Sequence, residues 1–203
     1  TLEKMQNIMR FIDNGGQVIY LGGNTAWRNV ERVESGDYIW GDGILLSRWD
    51  SANKDKQQFL NNKVPYKFLT EYLGSYYDAR GVGTSAPYKL MDSEYNKEIF
   101  KDSEKNLIGT IEDFPHCDLE NNKVRHFDGA SGEETDKLYP KAKGFTVLAR
   151  GLNENGGGAE IVYKSFPSGG EVLNMSSMNV WLFMNDPSIK SLILHHLNDH
   201  FPS

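Results

Sequence analysis

Residues 11–27 constrain the fold of this chain more than any other stretch. They contain the end of a helix, a double-glycine stop, the short apolar run 18–21 and a glycine turn that carries Gly23, Asn24 and Trp27. A short apolar run after a helix is typical of a buried parallel strand. Ligands of open α/β sheets bind at the carboxyl ends of such strands, so we predict that Gly23, Asn24 and Trp27 line a substrate-binding site.

The first helix is predicted over residues 2–13, with Thr1 as its cap. Its apolar residues recur at helical spacing and would lie on a sheet: Leu2, Met5, Ile8, Met9 and Ile12. A helix followed by a strand is half of a βαβ unit, and the strand that should come before the helix would precede Thr1. We therefore expect the chain to be the C-terminal part of a longer polypeptide, and we expect an upstream segment or another chain to complete the sheet.

Later stretches predict antiparallel structure beside the parallel sheet. Residues 28–49 predict a β-hairpin, and residues 65–90 predict a short helix that leads into an irregular aromatic loop. Strands are predicted in the last third at residues 144–150, 159–163 and 171–176, the last two joined as an antiparallel hairpin. Asp186 and Pro187 are typical of the start of a closing helix. The 203 residues thus predict one α/β domain with an antiparallel extension.

Composition and charge argue against several classes of function. The net charge is −6 with no run of Lys or Arg, so a nucleic-acid partner is not expected. No window approaches the roughly 20 apolar residues that a membrane span needs, so no membrane segment is expected either. The single cysteine, Cys117, cannot form an internal disulfide and favours a reducing compartment such as the cytoplasm.

Nucleophilic catalysis has only poor candidates in the sequence. No Ser or Cys lies in the glycine-flanked strand-to-helix turn of a nucleophile elbow. Cys117 could pair with His126, and Thr1 could act as an N-terminal nucleophile, but a loop thiol and a helix cap explain these residues more simply. His196 and His200 stand four residues apart as in zinc proteases, without the general-base glutamate of that motif. We interpret the two histidines as part of a solvated helix face.

The acidic loop at residues 132–137 is the best candidate for chemistry. Glu133, Glu134 and Asp136 lie there beside a glycine. Such a density of carboxylates can bind a hard metal ion or work as an acid/base pair. Charged loops are more often simply solvated, and the residues alone leave both interpretations open.

Four glycine-rich motifs, taken together, resemble a known family. They are residues 14–24, 129–136, 157–163 and 169–173, which are spread over nearly the whole chain. In this combination they resemble the C-terminal domain of the large subunit of N,N-dimethylformamidase. That domain is similar in fold to the class I glutamine amidotransferases, so the resemblance implies a three-layer, flavodoxin-like α/β sandwich.

The resemblance also implies an activity and a cofactor. It implies hydrolysis of a small amide at a mononuclear iron held by two tyrosines and a glutamate, where the metal polarises the carbonyl and lowers the pKa of a bound water. Glu134 is the counterpart of that glutamate, and Asp136 lies beside it. Both are therefore candidate catalytic residues, and Glu134 is the candidate iron ligand.

A competing hypothesis, from a different class of function, follows from Trp27. This residue stands where the family usually has a tyrosine, and its side chain has no oxygen to give a metal. The chain could accordingly be a non-catalytic binding or assembly module that keeps the fold without the metal ligands. Such a module would dock its partner at Asn24 and Trp27. Both hypotheses leave room for an oligomer.

Overall fold

A computed structural model describes residues 2–23, 28–32, 38–44, 67–81, 83–101, 106–110 and 128–198, the second and third of these ranges as backbone only. The protein has a mixed α/β fold with one six-stranded sheet and few helices. The helices in these ranges are α1 (Leu2–Asp13), a π-helix (Phe68–Leu73), α2 (Glu94–Ile99) and α3 (Pro187–Asn198). Short 3₁₀-helices lie at Ala79–Gly81, Glu154–Gly156 and Asn179–Phe183. None of the helices in the described ranges has the length and apolar character needed to cross a bilayer.

The strands in the described ranges form one large sheet and three small ones. They are β1 (Gln17–Tyr20), β2 (Arg28–Arg32), β3 (Tyr38–Ile44), β4 (Ser75–Tyr77), β5 (Ser85–Ala86), β6 (Tyr88–Leu90), β7 (Leu107–Ile108), β8 (Ser131–Gly132), β9 (Asp136–Leu138), β10 (Thr146–Gly151), β11 (Glu160–Ser165) and β12 (Glu171–Asn174). The large sheet has the order β1-β12-β11-β10-β6-β7. The small sheets pair β2 with β3, β4 with β9, and β5 with β8.

The large sheet combines one parallel pair with antiparallel neighbours. β1 and β12 are parallel, with Tyr20 opposite Asn174 at their carboxyl ends. The remaining pairings described in this sheet are antiparallel. The hairpins predicted at residues 28–49 and in the last third are confirmed as the pairs β2–β3 and β11–β12. In the part of the chain described, β1 forms an edge of the sheet.

Helices cover both faces of the sheet around β12. Val172 packs with buried residues of α1 and the π-helix, whereas its neighbour Leu173 packs with buried residues of α3. Successive residues of a strand point to opposite faces of the sheet. α1 and α3 therefore lie on opposite sides, each burying its apolar stripe against the strands.

The predicted first helix is confirmed in position and largely in its buried face. Met5, Met9 and Ile12 are buried, whereas Ile8 is exposed. Gly15 follows the helix with φ at 88°, a left-handed conformation in which a Cβ is penalised. The double glycine after α1 therefore ends the helix and lets the chain turn back into β1.

The closing helix α3 begins at the residues that predict it. The Asp186 carboxylate accepts hydrogen bonds from the backbone N–H groups of Ser188 and Ile189 at 2.8 and 2.7 Å. These bonds satisfy donors that have no partner within the first turn of a helix. Pro187, the first helical residue, has no N–H to satisfy.

The interpretation of the α3 histidines as a solvated face is wrong for His196. Its side chain is fully buried, and its Nδ1 lies 3.6 Å from a carboxylate oxygen of Glu171. His196 is four residues after Leu192, so both side chains lie on the face of α3 that packs on the sheet. His200 is outside the described residues.

The short helix predicted within residues 65–90 is confirmed, but the prediction of an irregular loop after it is wrong. The helix there is a π-helix that ends at Gly74, where φ is 72°, and the predicted irregular loop contains β4, β5 and β6. Each of these strands has two or three residues. A strand this short cannot show an alternating pattern in the sequence, because such a pattern needs about four to eight residues.

Candidate functional site

Two turns leave the sheet side by side at the carboxyl ends of β1 and β12. Residues 21–23 follow β1, and residues 175–178 follow β12. The Met175 N–H donates a hydrogen bond to the Tyr20 carbonyl at 2.9 Å, so the two strands are still paired where β1 ends. This is the edge at which open α/β sheets bind ligands. We call these two turns, together with the loop at residues 132–136, the strand-end site.

Gly23 and Glu134 are in direct contact at the strand-end site. A Cβ atom on Gly23 would lie 2.2 Å from the Glu134 carbonyl oxygen and 2.6 Å from its carbonyl carbon. Only glycine permits a backbone to approach another backbone so closely. The Glu134 side chain itself is half-buried. Two residues predicted from separate motifs are therefore neighbours in space.

The acidic loop is also bonded to the turn that follows β12. The Met178 N–H donates to the Glu134 carbonyl at 3.2 Å, and the Asp136 N–H donates to the Ser176 carbonyl at 2.8 Å. Between these two hydrogen bonds, Thr135 and Ser177 face each other in an antiparallel bridge. The Glu134 carbonyl group is thus bonded to the Met178 N–H and packed against Gly23.

Two residues of the strand-end site have a strained backbone. Glu133 has φ at 60° and Ser176 has φ at 57°, the left-handed region that favours glycine. For other residues such a conformation costs about 1–3 kcal/mol and persists only where the surrounding structure imposes it. Strain of this kind is found preferentially at functional sites.

A closed ring of buried hydrogen bonds lies at the Ser176 turn, and we call it the Asp136 ring. The Asn174 Nδ2 donates to Ser75 Oγ at 2.7 Å, and Ser75 Oγ donates to Asp136 Oδ2 at 3.5 Å. From the other side, the Ser176 N–H and Oγ donate to Asn174 Oδ1 at 2.9 and 3.1 Å. The bond from the Asp136 N–H to the Ser176 carbonyl closes the ring. All four residues are fully buried.

Ser176 is a site residue that the sequence hypotheses missed. It lies between β12 and the 3₁₀-helix Asn179–Phe183 and has a positive φ, as the nucleophile of a strand-to-helix elbow does. Its Oγ is buried and bonded to Asn174, so this turn does not present a nucleophile to solvent. The available signal was the group of polar residues Asn174, Ser176 and Ser177 directly after the apolar pair at 172–173.

A charged cluster braces the acidic loop from its other face. The Arg80 guanidinium donates to both carboxylate oxygens of Asp78 at 2.9 and 2.8 Å, and Lys137 Nζ lies 3.4 Å from the same carboxylate. The Asp78 N–H donates to the Thr135 carbonyl at 2.9 Å. Burial works against the charge of Asp78, but the hydrogen bonds from Arg80 and the charges of Arg80 and Lys137 hold its pKa below the usual 3.8.

Two residues shortly after β12, Met178 and Trp181, have exposed apolar side chains. The Met178 side chain is 43% exposed, and its backbone is bonded to Glu134. Trp181, on the next 3₁₀-helix, is 63% exposed.

The structure brings together three of the predicted site residues and leaves the others undescribed. Gly23 touches Glu134, and Asp136 lies two residues further along the same loop. Six residues from the hypotheses lie outside the described ranges: Asn24, Trp27, Thr1, Cys117, His126 and His200. Within the described ranges, no three His, Cys, Asp or Glu side chains are grouped closely enough to hold a metal ion.

The contact between Gly23 and Glu134 predicts that alanine destabilises the fold at Gly23 but not at the neighbouring Gly22. Gly23→Ala should lower the free energy of unfolding by about 1–3 kcal/mol, because the new methyl group overlaps the Glu134 backbone. Gly22→Ala is the matched control, since its Cβ would meet only the Tyr20 ring, at 3.6 Å and beyond. Urea unfolding of the two variants measures the difference. Equal destabilisation by both substitutions would contradict the contact.

The ion pair at Asp78 predicts a change in acid stability. Because the folded-state pKa of Asp78 lies below 3.8, its stabilisation is complete above that pH and is lost as the pH falls through the lower, folded-state value. Arg80→Ala should therefore move the midpoint of acid unfolding to higher pH. Lys97→Ala is the control, because both partners of Lys97 are largely solvated. Circular dichroism during acid titration measures both midpoints, and an unmoved midpoint in Arg80→Ala would refute the assignment.

Comparison with known proteins identifies the family. A sequence profile described as N,N-dimethylformamidase beta subunit-like, C-terminal, matches residues 1–189 of the 203. No curated protein matches the chain. The matched range includes the strand-end site and the Asp136 ring. The chain belongs to the family of N,N-dimethylformamidase beta subunit-like C-terminal domains.

Proposed function

We propose that this domain takes part in the hydrolysis of a small amide, with Glu134 acting at the strand-end site. One observation carries the proposal: the Glu134 carbonyl group contacts both Gly23 and Met178, which follow the carboxyl ends of two parallel strands. This is where open α/β sheets bind ligands. Membership of the dimethylformamidase-like family supports an amide as the substrate class.

A half-buried carboxylate can serve this reaction in a definite way. Hydrolysis adds water across the C–N bond, so the attacking water must lose a proton and the leaving nitrogen must gain one. A carboxylate within reach can accept the first proton and donate it to the amine. We assign this task to Glu134, whose backbone is positioned by its contacts with Met178 and Gly23.

Iron is the cofactor that the family suggests, and the described residues fit it only in part. Carboxylates are suitable oxygen ligands for a metal ion, and Glu134 has a partly exposed side chain. The Asp136 carboxylate is buried in its ring, and the described ranges contain no cluster of three candidate ligands. We propose Glu134 as one ligand and assign no step of the reaction to the metal.

We propose further that the complete fold is a flavodoxin-like sandwich with another strand beside β1. Three observations support this proposal: α1 and α3 cover opposite faces of the sheet, α1 leads directly into β1, and β1 is an edge strand in the part described. A helix that precedes a parallel strand usually returns from a neighbouring parallel strand. An upstream segment or another chain would supply it.

The test compares two adjacent glutamates in the full-length protein. Glu134→Gln should lower kcat for hydrolysis of small amides by about 100-fold or more, as expected for loss of a carboxylate that transfers protons and binds iron. Glu133→Gln, in the same loop, should leave kcat nearly unchanged. Iron content measured on the same samples should fall in Glu134→Gln and stay constant in Glu133→Gln.

Other outcomes of this comparison have clear meanings. Equal activity in both variants would show that Glu134 does not act in the reaction. If the folded, full-length protein neither hydrolyses small amides nor binds iron, the amidohydrolase proposal fails. The non-catalytic binding or assembly module would then be the remaining hypothesis.

A further inference from the structure

We propose that the Asp136 ring is a positioning device, which holds Ser176 in its left-handed conformation and thereby fixes Glu134 beside Gly23. Asp136 is on this view a positioning residue that never touches the substrate. The consequence for catalysis rests on the function proposed for Glu134. The ring itself can be tested without any assay of activity.

The ring joins parts of the chain that are distant in sequence. Ser75 begins β4, Asp136 begins β9, and Asn174 ends β12. The bonds from Ser75 to its two partners span 61 and 99 residues. The small β4–β9 sheet is thus tied to the large sheet at the end of its parallel pair.

Ser176 needs this support because its backbone is strained. The Asn174 side-chain oxygen accepts from both the N–H and the Oγ of Ser176, which ties the turn back to the strand that precedes it. Ser176 in turn accepts a bond from the Asp136 N–H. Strained conformations persist where several such bonds impose them together.

The ring reaches Glu134 through the backbone of the acidic loop. Glu134 is two residues before Asp136, and it bonds to Met178, which is two residues after Ser176. Any shift of Ser176 relative to Asp136 therefore moves the acidic loop relative to the turn that follows β12. Because Gly23 leaves no space beside Glu134, even a small shift would disturb their contact.

Hydrogen exchange on the full chain tests the ring. Ser75→Ala removes the hydroxyl that links Asn174 to Asp136, and it should speed exchange of the Asp136 and Met178 amides by about tenfold relative to the amides of β11. Ser131→Ala is the matched control. Ser131 is equally buried, and its Oγ bonds to Asn153 and Ala159 outside the ring.

The control should leave exchange at the Asp136 and Met178 amides unchanged relative to β11. If Ser75→Ala accelerates exchange uniformly, or leaves these two amides protected, the ring does not position the loop and the proposal is overturned. Neither result depends on amide hydrolysis, so failure of the proposed function is a separate outcome.

A second measurement separates positioning from simple loss of stability in the active protein. Ser75→Ala should lower kcat by about tenfold with KM little changed, since Glu134 is displaced but substrate contacts remain. Ser75→Thr keeps the hydroxyl and should restore most of kcat. If kcat falls in proportion to thermal stability in both the Ser75 and the Ser131 variants, the positioning role is overturned.

Discussion

The parallel pairing of β1 with β12 is the constraint on which the rest of the strand-end site depends. It brings two chain turns to one edge of the sheet, although their residues lie more than 150 positions apart. Each turn then contacts the acidic loop, one through Gly23 and the other through Met178 and Ser176. The position of the Glu134 backbone is therefore a consequence of sheet topology and of these contacts.

The close packing of backbones at the strand-end site is accommodated differently at Gly23 and at Ser176. At Gly23 the absence of a side chain provides the space, so the backbone rests on Glu134 without strain from a Cβ. At Ser176 the chain keeps a side chain and accepts a left-handed conformation, which the hydrogen bonds of the Asp136 ring stabilise. The charged cluster of Asp78, Arg80 and Lys137 supports the same loop from its other face.

The sequence is a good guide to elements whose causes are local. The end of α1, the start of α3 and the hairpin of β11 and β12 follow from glycines, a capping Asp and short-range patterns, and all are confirmed. The parallel strand after α1 and its glycine turn could be predicted for the same reason, but the prediction that this strand is buried is wrong, because β1 is half-buried at an edge of the described sheet. The acidic loop could be singled out by its charge density, and the resemblance of the glycine-rich motifs to the family is confirmed by the profile match.

Features that depend on distant contacts could not be predicted in this way. The members of the Asp136 ring are ordinary polar residues, and only the folded chain brings Ser75 and Asn174 into contact across 99 positions. The burial of His196 likewise depends on how α3 packs on the sheet and not on its neighbours in sequence. Very short strands such as β4 and β5 take their structure from their partners and have no pattern of their own.

A double-mutant cycle on Ser75 and Ser176 tests most directly whether the strand-end site is held as one unit. The two residues do not bond to each other, but both bond to Asn174. Urea unfolding of Ser75→Ala, Ser176→Ala and the double variant should give a coupling energy above about 0.5 kcal/mol, as for members of one network, whereas Ser75 paired with Ser131 should be additive. Additive effects in both pairs would contradict the account, because Ser75 and Ser176 would then be independent.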